Sequence, residues 1–227
     1  IPLMNDTEAD IDLSHIESYP MLWVRLDPDM ILLRRENVIQ PAIMWQMMLK
    51  YERDICAQIL AADNLVNFPS EKTGKVLKEI IEDESHFWRV RVAAAHAMTG
   101  MYNKVQMKMT NTSMLNEDQR TTSSNYYSLQ QIKLNYTRKH YLEKYVTIPK
   151  KNRFQRNFPD YFVQKAQILA LGRLREKGNS IDSNSGICPI EIINLLLELL
   201  KFNDNSTCTY SDVFYKASII EALELAI

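Results

Sequence analysis

Apolar residues recur at helical spacing over most of this chain, in blocks of helix length. KVLKEIIEDE, Lys75 to Glu84, places Val76, Leu77, Ile80 and Ile81 on one face, and PIEIINLLLELLK, Pro189 to Lys201, repeats the pattern more densely. A third block, Ala42 to Lys50, follows Pro41, whose missing N–H costs nothing in a first helical turn. No further Pro or Gly interrupts the chain until Pro69, so two helices fit there, with a break near Tyr51 to Asp54.

Each of these three blocks precedes a helix of a second set, which aligns on Leu65, Met98, Leu171 and Leu223. Eleven residues before these anchors stand Asp54, Phe87, Asp160 and Asp212, and seven before stand Gln58, Arg91, Gln164 and Lys216. An aspartate suits a helix start, where its carboxylate accepts orphan N–H bonds and meets the positive end of the dipole. Ala61, Ala62, Ala93, Ala94, Ala95 and Ala166 lie near the anchors and allow close helix approach. The fold class this predicts is all-α, a HEAT-like helical repeat or α-solenoid array. The anchor spacings of 33, 73 and 52 fit a helix-pair period when long insertions interrupt the second and third intervals. An irregular domain of unrelated amphipathic helices remains the alternative.

The remaining stretches read differently. Trp23 to Leu26 and Ile31 to Ile39 are rich in β-branched, aromatic and aliphatic residues, and Asp27-Pro28-Asp29 between them favours a turn. A β-hairpin is expected over residues 21–40. Residues 1–20, with Asp6, Glu8, Asp10, Asp12 and Glu17, form an acidic tail or linker. The helical repeats are expected over 41–227, with a polar and then basic insertion at about 103–157. Its first part, TNTSMLNEDQRTTSSNYYS, has little apolar periodicity, while Gln130 to Tyr145 suits one more helix anchored by Ile132, Tyr136, Tyr141 and Tyr145. GNSIDSNSG, Gly178 to Gly186, is a flexible loop by composition.

Composition agrees with a helical reading. Among 227 residues only 5 are Gly and 8 Pro, and a chain of this length buries a core without disulfide or metal support. The net charge of −1 leaves any electrostatic steering to local patches. Three cysteines, Cys56, Cys188 and Cys208, form no CxxC pair and point to a reducing compartment. Cys56 is expected as a small buried hydrophobe in its helix. The longest apolar run, Ile190 to Leu200, contains Glu191, Asn194 and Glu198 and falls short of the ~20 residues a membrane span needs. No membrane association is expected. The chain opens on Ile1 rather than Met, so a fragment is expected.

Candidate chemistry is sparse. His15, His86, His96 and His140 lie in unrelated contexts, and Glu82, Asp83 and Glu84 read as a solvated helix end. Met44, Met47 and Met48 sit at helical spacing and suit a core. No Gly-rich phosphate loop or nucleophile grouping stands out, so no cofactor and no small-molecule substrate are expected. One segment is strongly basic. Lys133, Arg138, Lys139, Lys144, Lys150, Lys151, Arg153 and Arg156 face a single acid, Glu143, with Tyr136, Tyr141, Tyr145 and Phe154 interleaved. Such a segment can neutralise phosphates and lay rings against sugars or bases, or contact an acidic partner; a solvated insertion is the plainer reading.

Trp23-Val24-Arg25-Leu26-Asp27-Pro28-Asp29-Met30, Met44-Trp45-Gln46, and Tyr51-Glu52-Arg53-Asp54 with Ala57-Gln58 carry a resemblance to a known family. Phe87-Trp88-Arg89-Val90-Arg91, then Lys201-Phe202-Asn203-Asp204-Asn205, Tyr210-Ser211-Asp212 and Tyr215, continue it in order. The chain resembles the TFIID subunit 2 family, at the point where an aminopeptidase-like β-sandwich ends and helical repeats begin. The resemblance covers most of the chain outside Thr110 to Arg156 and the first twenty or so residues. It implies a nuclear, non-catalytic scaffold of that general transcription factor, one that supports core-promoter DNA engagement and preinitiation complex assembly for RNA polymerase II. It also implies docking to other subunits, notably TFIID subunits 1 and 8, and places the hairpin in the β-sandwich. Two rivals remain: the C-terminal helical region of an active M1-type zinc aminopeptidase, and an unrelated cytoplasmic HEAT scaffold. The chain has no HExxH, in which two His of one helix face hold zinc, but in that architecture the catalytic domain lies upstream.

Overall fold

Pro41 starts the first helix: its φ is −60°, its carbonyl accepts from the Met44 N–H at 3.0 Å, and α1 runs Ala42–Tyr51. The computed structural model of the protein describes residues 21–29, 31–32, 38–111, 129–142, 145–149, 157–176, 186–206 and 209–227. Asp54 opens α2, Ile55–Leu65, by accepting from the Cys56 N–H at 3.0 Å. Ser70 opens α3, Glu71–Glu82, in the same way, accepting from the Thr73 N–H at 3.1 Å. Next come α4, Trp88–Asn111, and α5, Leu129–His140, then two short antiparallel strands, β1, Tyr141–Leu142, and β2, Tyr145–Pro149. The start of α6, Phe158–Gly172, is held by Asn157, which accepts from the Asp160 N–H at 3.2 Å. Pro189 precedes α7, Ile190–Lys201, and Asp212 precedes α8, Val213–Ala226. Among the described residues no helix is long and apolar enough to cross a membrane.

The helices form two rows. α1 packs on α2, α3 on α4 and α7 on α8, while α2, α4, α6 and α8 pack in succession on one another. This inner row is where close approach is needed, and Ala61, Ala62, Ala94, Ala95 and Ala166 are all buried. The anchors Leu65, Met98 and Leu171 are buried and Leu223 is partly so. At Gly172 a Cβ would stand 2.3 Å from the Ala222 carbonyl oxygen, so α6 and α8 meet backbone to backbone.

In α2 and α4 the polar position seven residues before the anchor ties the rows together. Gln58 Nε2 donates to the Leu49 carbonyl at 3.2 Å, and Arg91 Nε to the Ile81 carbonyl at 3.1 Å. Both acceptors lie in the last turn of the preceding helix, where carbonyls have no partner within the helix. An inner helix therefore caps the outer helix before it. In α6 the equivalent Gln164 donates to the Tyr215 hydroxyl of α8 at 3.3 Å instead.

Several expectations need correcting or fall outside the described residues. The helix expected from Gln130 to Tyr145 stops at His140, because the β-branched and aromatic stretch Tyr145–Pro149 folds back as a strand, pairing Tyr141 with Pro149 and Leu142 with Tyr145. Ile132, Tyr136 and Tyr141 are buried. The insertion thus holds α5, a helix that joins the array. Cys56 is exposed rather than buried, its place in the first turn of α2 leaving it at the surface, while Cys188 is buried. Of the expected hairpin at 21–40, the described residues form no strand, and residues 30 and 33–37 lie outside the described set. So do the 1–20 tail and most of the 178–186 loop, whose base is closed by paired 2.8 Å backbone bonds between Glu176 and Ile187.

Candidate functional site

The basic segment enters the described structure on α5, which contributes Lys133, Arg138 and Lys139. Lys144, Lys150, Lys151, Arg153 and Arg156 lie outside the described residues. Arg138 is exposed and Lys133 half-buried. Lys139 is turned inward: its Nζ stands 3.2 Å from Asp160 Oδ1 and 3.6 Å from Glu84 Oε1. The same Asp160 oxygen accepts from Arg91 at 2.8 Å, and the Arg91 side chain is only 1% exposed. Partial burial alone would raise the Asp160 carboxyl, yet the bonds from Arg91 and the charge of Lys139 hold it below the usual carboxylate range. Lys139 is thereby a joint between α5 and α6 as well as a candidate contact. In the sequence Asp160 stands out only as a helix start and Arg91 as a repeat position; their pairing depends on the stacking of α4 on α6.

A cleft opens beside this joint, between α3 and α5, with α4 and α6 as its floor. Ile81, Met98, Ile132 and Leu171 line it, and Lys78 and Lys139 stand at its edge. Tyr136 also borders it, and burial pushes its phenol well above the ordinary tyrosine range. His140 closes α5 against α6 through a 2.8 Å contact with Gln167 Oε1. The walls are mainly apolar. Among the described residues no cluster of three His, Cys, Asp or Glu side chains is placed to hold a metal ion.

At the other end of the array the residues that carry the resemblance touch one another. The Trp23 indole donates to Glu52 Oε2 at 3.0 Å, Arg25 pairs with Glu52 at 3.3 Å and bonds Asp54 as well, and the Val24 N–H donates to Gln40 Oε1 at 3.1 Å. Burial works to raise the Glu52 carboxyl, but the Arg53 and Asp54 N–H groups, Trp23 and Arg25 together lower it. Asp27, at φ 44°, accepts from the Ile31 and Leu32 N–H groups at 3.1 and 2.8 Å and so shapes the turn. The later motifs meet in the same way. Asn203 bonds Asp212, and Asn205 Nδ2 donates to the Tyr210 carbonyl at 2.9 Å. These motifs are joints between elements of the chain.

Comparison with known proteins bears on the same residues. A family model described as "TAF2-like, TPR repeats" matches residues 42–227. Transcription initiation factor TFIID subunit 2 of Drosophila melanogaster is 37% identical over 223 residues, covering 98% of this chain and 16% of that protein. The protein of the same name in Gallus gallus is 35% identical over 224 residues, covering 98% and 17%. That of Schizosaccharomyces pombe is 26% identical over 231 residues, covering 97% and 17%. The chain spans about a sixth of the length of these curated relatives. The family description speaks of TPR repeats where the sequence suggested HEAT-like pairs. Both are stacked two-helix repeats, and the 33-residue spacing of Leu65 and Met98 lies nearer the TPR period, about 34 residues, than the HEAT period, about 40–47.

Proposed function

This chain belongs to the TFIID subunit 2 family, and from that premise we propose that it serves as a non-catalytic scaffold segment of a TFIID subunit. In this role it holds a fixed helical surface while the complex engages core-promoter DNA and the preinitiation complex for RNA polymerase II assembles in the nucleus. The observation that carries the reading is the use to which its ordered motifs are put. Trp23 with Glu52, Arg25 with Asp54, Arg91 with Asp160 and Asn203 with Asp212 each join one element to another. Side chains engaged this way set geometry, and geometry is what a repeat array offers its partners.

The partners in this reading are other TFIID subunits, with subunits 1 and 8 as the first to test, and core-promoter DNA at the level of the whole subunit. The described part of the basic segment supports the DNA reading through Arg138 and Lys133, which stand on α5 without a place in the Asp160 network. The test has two arms. Binding of purified subunits 1 and 8 is measured with wild type and with Arg25→Ala/Arg91→Ala, and anisotropy is measured with promoter duplex at several salt concentrations. The reading expects the double variant to lose subunit binding. Unchanged affinity and salt slope after replacing Lys150, Lys151, Arg153 and Arg156 with Ala would remove the DNA contact from this segment.

A further inference from the structure

The first turns of three inner helices carry rings at the edge of the core, with Tyr161 partly buried against it. Ten and nine residues before the repeat anchors stand Trp88 and Arg89 on α4, Tyr161 and Phe162 on α6, and Val213 and Phe214 on α8. Because they share a repeat position, stacking the inner row sets them side by side. Trp88 stacks on Phe162 with centroids 4.8 Å apart, and Tyr161 meets Phe162 edge-on at 5.9 Å. Lys165 then bridges to the next helix, its Nζ 5.6 Å from the Tyr161 ring and 5.8 Å from that of Phe214. Arg89 lies 5.2 Å over Trp88 at the opposite end. Phe162 is 40% exposed and Phe214 73%. A row of partly exposed rings and cations at the edge of the array suits an interaction site.

We propose that this ridge across α4, α6 and α8 docks an acidic peptide segment bearing apolar side chains. Charge complementarity selects that occupant. The acids at the same helix starts are already paired, Asp160 with Arg91 and Lys139, and Asp212 with Asn203 and Lys216, although Asp212 lies near enough to Tyr161 to raise its phenol. Asp83 faces His86, and Glu84 lies 3.6 Å from Lys139. Arg89 and Lys165 therefore set the sign of the ridge, aided by the positive ends of three helix dipoles. Carboxylates reach these cations while Leu or Phe side chains cover the rings. Two cations are few for a phosphate backbone, and rings stacked on one another or capped by a cation offer little free face to bases. A second copy on a twofold axis would bring Arg89 and Lys165 against a matching pair.

The probe is a short fluorescein-labelled peptide alternating Glu with Leu and Phe, titrated by anisotropy into the 227-residue chain. Its controls are the same peptide with Lys for Glu, and one with Ser for the apolar residues. The wild type is expected to bind the acidic apolar peptide alone, more weakly as salt rises. Phe214→Ser and Lys165→Glu are each expected to weaken it by about tenfold or more. Both positions lie outside the buried core, and circular dichroism melts verify that the variants fold. Equal affinity in both variants, or equal binding of the Lys peptide, overturns the proposal. So does a DNA duplex that binds at the ridge in place of the peptide, or self-association abolished by Phe214→Ser, each of which assigns the surface to another occupant.

Discussion

Arg91 on α4 and Asp160 on α6, 69 residues apart in the chain, meet at 2.8 Å with the arginine buried. Lys139 of α5 joins the same carboxylate at 3.2 Å, so one aspartate ties three helices. Removing its charge leaves a buried guanidinium short of its anion. We expect Asp160→Asn to destabilise the fold by about 2 kcal/mol at neutral pH, in the range for charge-assisted bonds to a partly buried partner. The folded-state pKa of Asp160 is lowered, so its contribution is fully present above the ordinary carboxylate range near 4 and fades as pH falls through the lower folded value. Urea melts at neutral pH and in acid test this. A gap between wild type and variant that stays the same in acid would refute the linkage.

Two glycines separate packing from propensity. At Gly172 an added Cβ meets the Ala222 backbone, 2.3 Å from its carbonyl oxygen, which cannot turn aside. Gly172→Ala is expected to cost about 2–3 kcal/mol by forcing α6 from α8. At Gly100 the nearest atom is a methyl of the Val66 side chain at 3.2 Å, and the helix gains from alanine. Gly100→Ala is expected within about 1 kcal/mol of wild type. Thermal melts of the two variants should therefore differ clearly, and equal losses would contradict the backbone contact.

Much of this architecture was legible along the chain because its signals are local. Pro41 and Asp54 mark helix starts by their own chemistry, Asp212 stands at the start of α8 without a side-chain cap bond, and the Leu65 to Met98 spacing contains one complete pair. Signals that depend on stacking were not legible. α5 lies in a polar stretch and is recognised as part of the array only when Ile132 and Tyr136 are seen buried beside Ile81 and Leu171. The pairing of Arg91 with Asp160 and the bridge from Lys165 to Phe214 likewise need the inner row assembled. Cys56 was misread because its neighbours predict a helix but not which face of the first turn is open.

Asp54 carries two tasks that substitution can divide. It caps α2 through the Cys56 N–H and holds Arg25, which brings Trp23 to Glu52. Asparagine caps nearly as well as aspartate, so Asp54→Asn should lose only the partly exposed ion pair, about 0.5 kcal/mol. Asp54→Ala loses the cap as well and is expected to cost about 1–2 kcal/mol. Both should raise the rate of proteolytic cleavage within residues 21–40, because both leave Arg25 to its pair with Glu52 alone. If only the alanine variant is cleaved faster, the ion pair plays no part in seating this stretch on α1 and α2.

The α5 cations can be sorted by what each already holds. Lys139 sits between Asp160 and Glu84, so its replacement acts first on the fold. Lys139→Ala is expected to lower stability by about 1 kcal/mol, the upper part of the range for such pairs, and to change DNA affinity little once the protein is folded. Arg138 is exposed, and Lys133 is half-buried on the same helix. If α5 meets a phosphate backbone, Arg138→Ala and Lys133→Ala should each weaken duplex binding and reduce the salt slope by about 1, with no change in the melt. The opposite pattern, an unchanged slope for these two and a reduced one for Lys139→Ala, would mean that Asp160 releases Lys139 to the nucleic acid. The melt and the salt slope measured on the same three variants distinguish a helix that only braces α6 from one that also faces DNA.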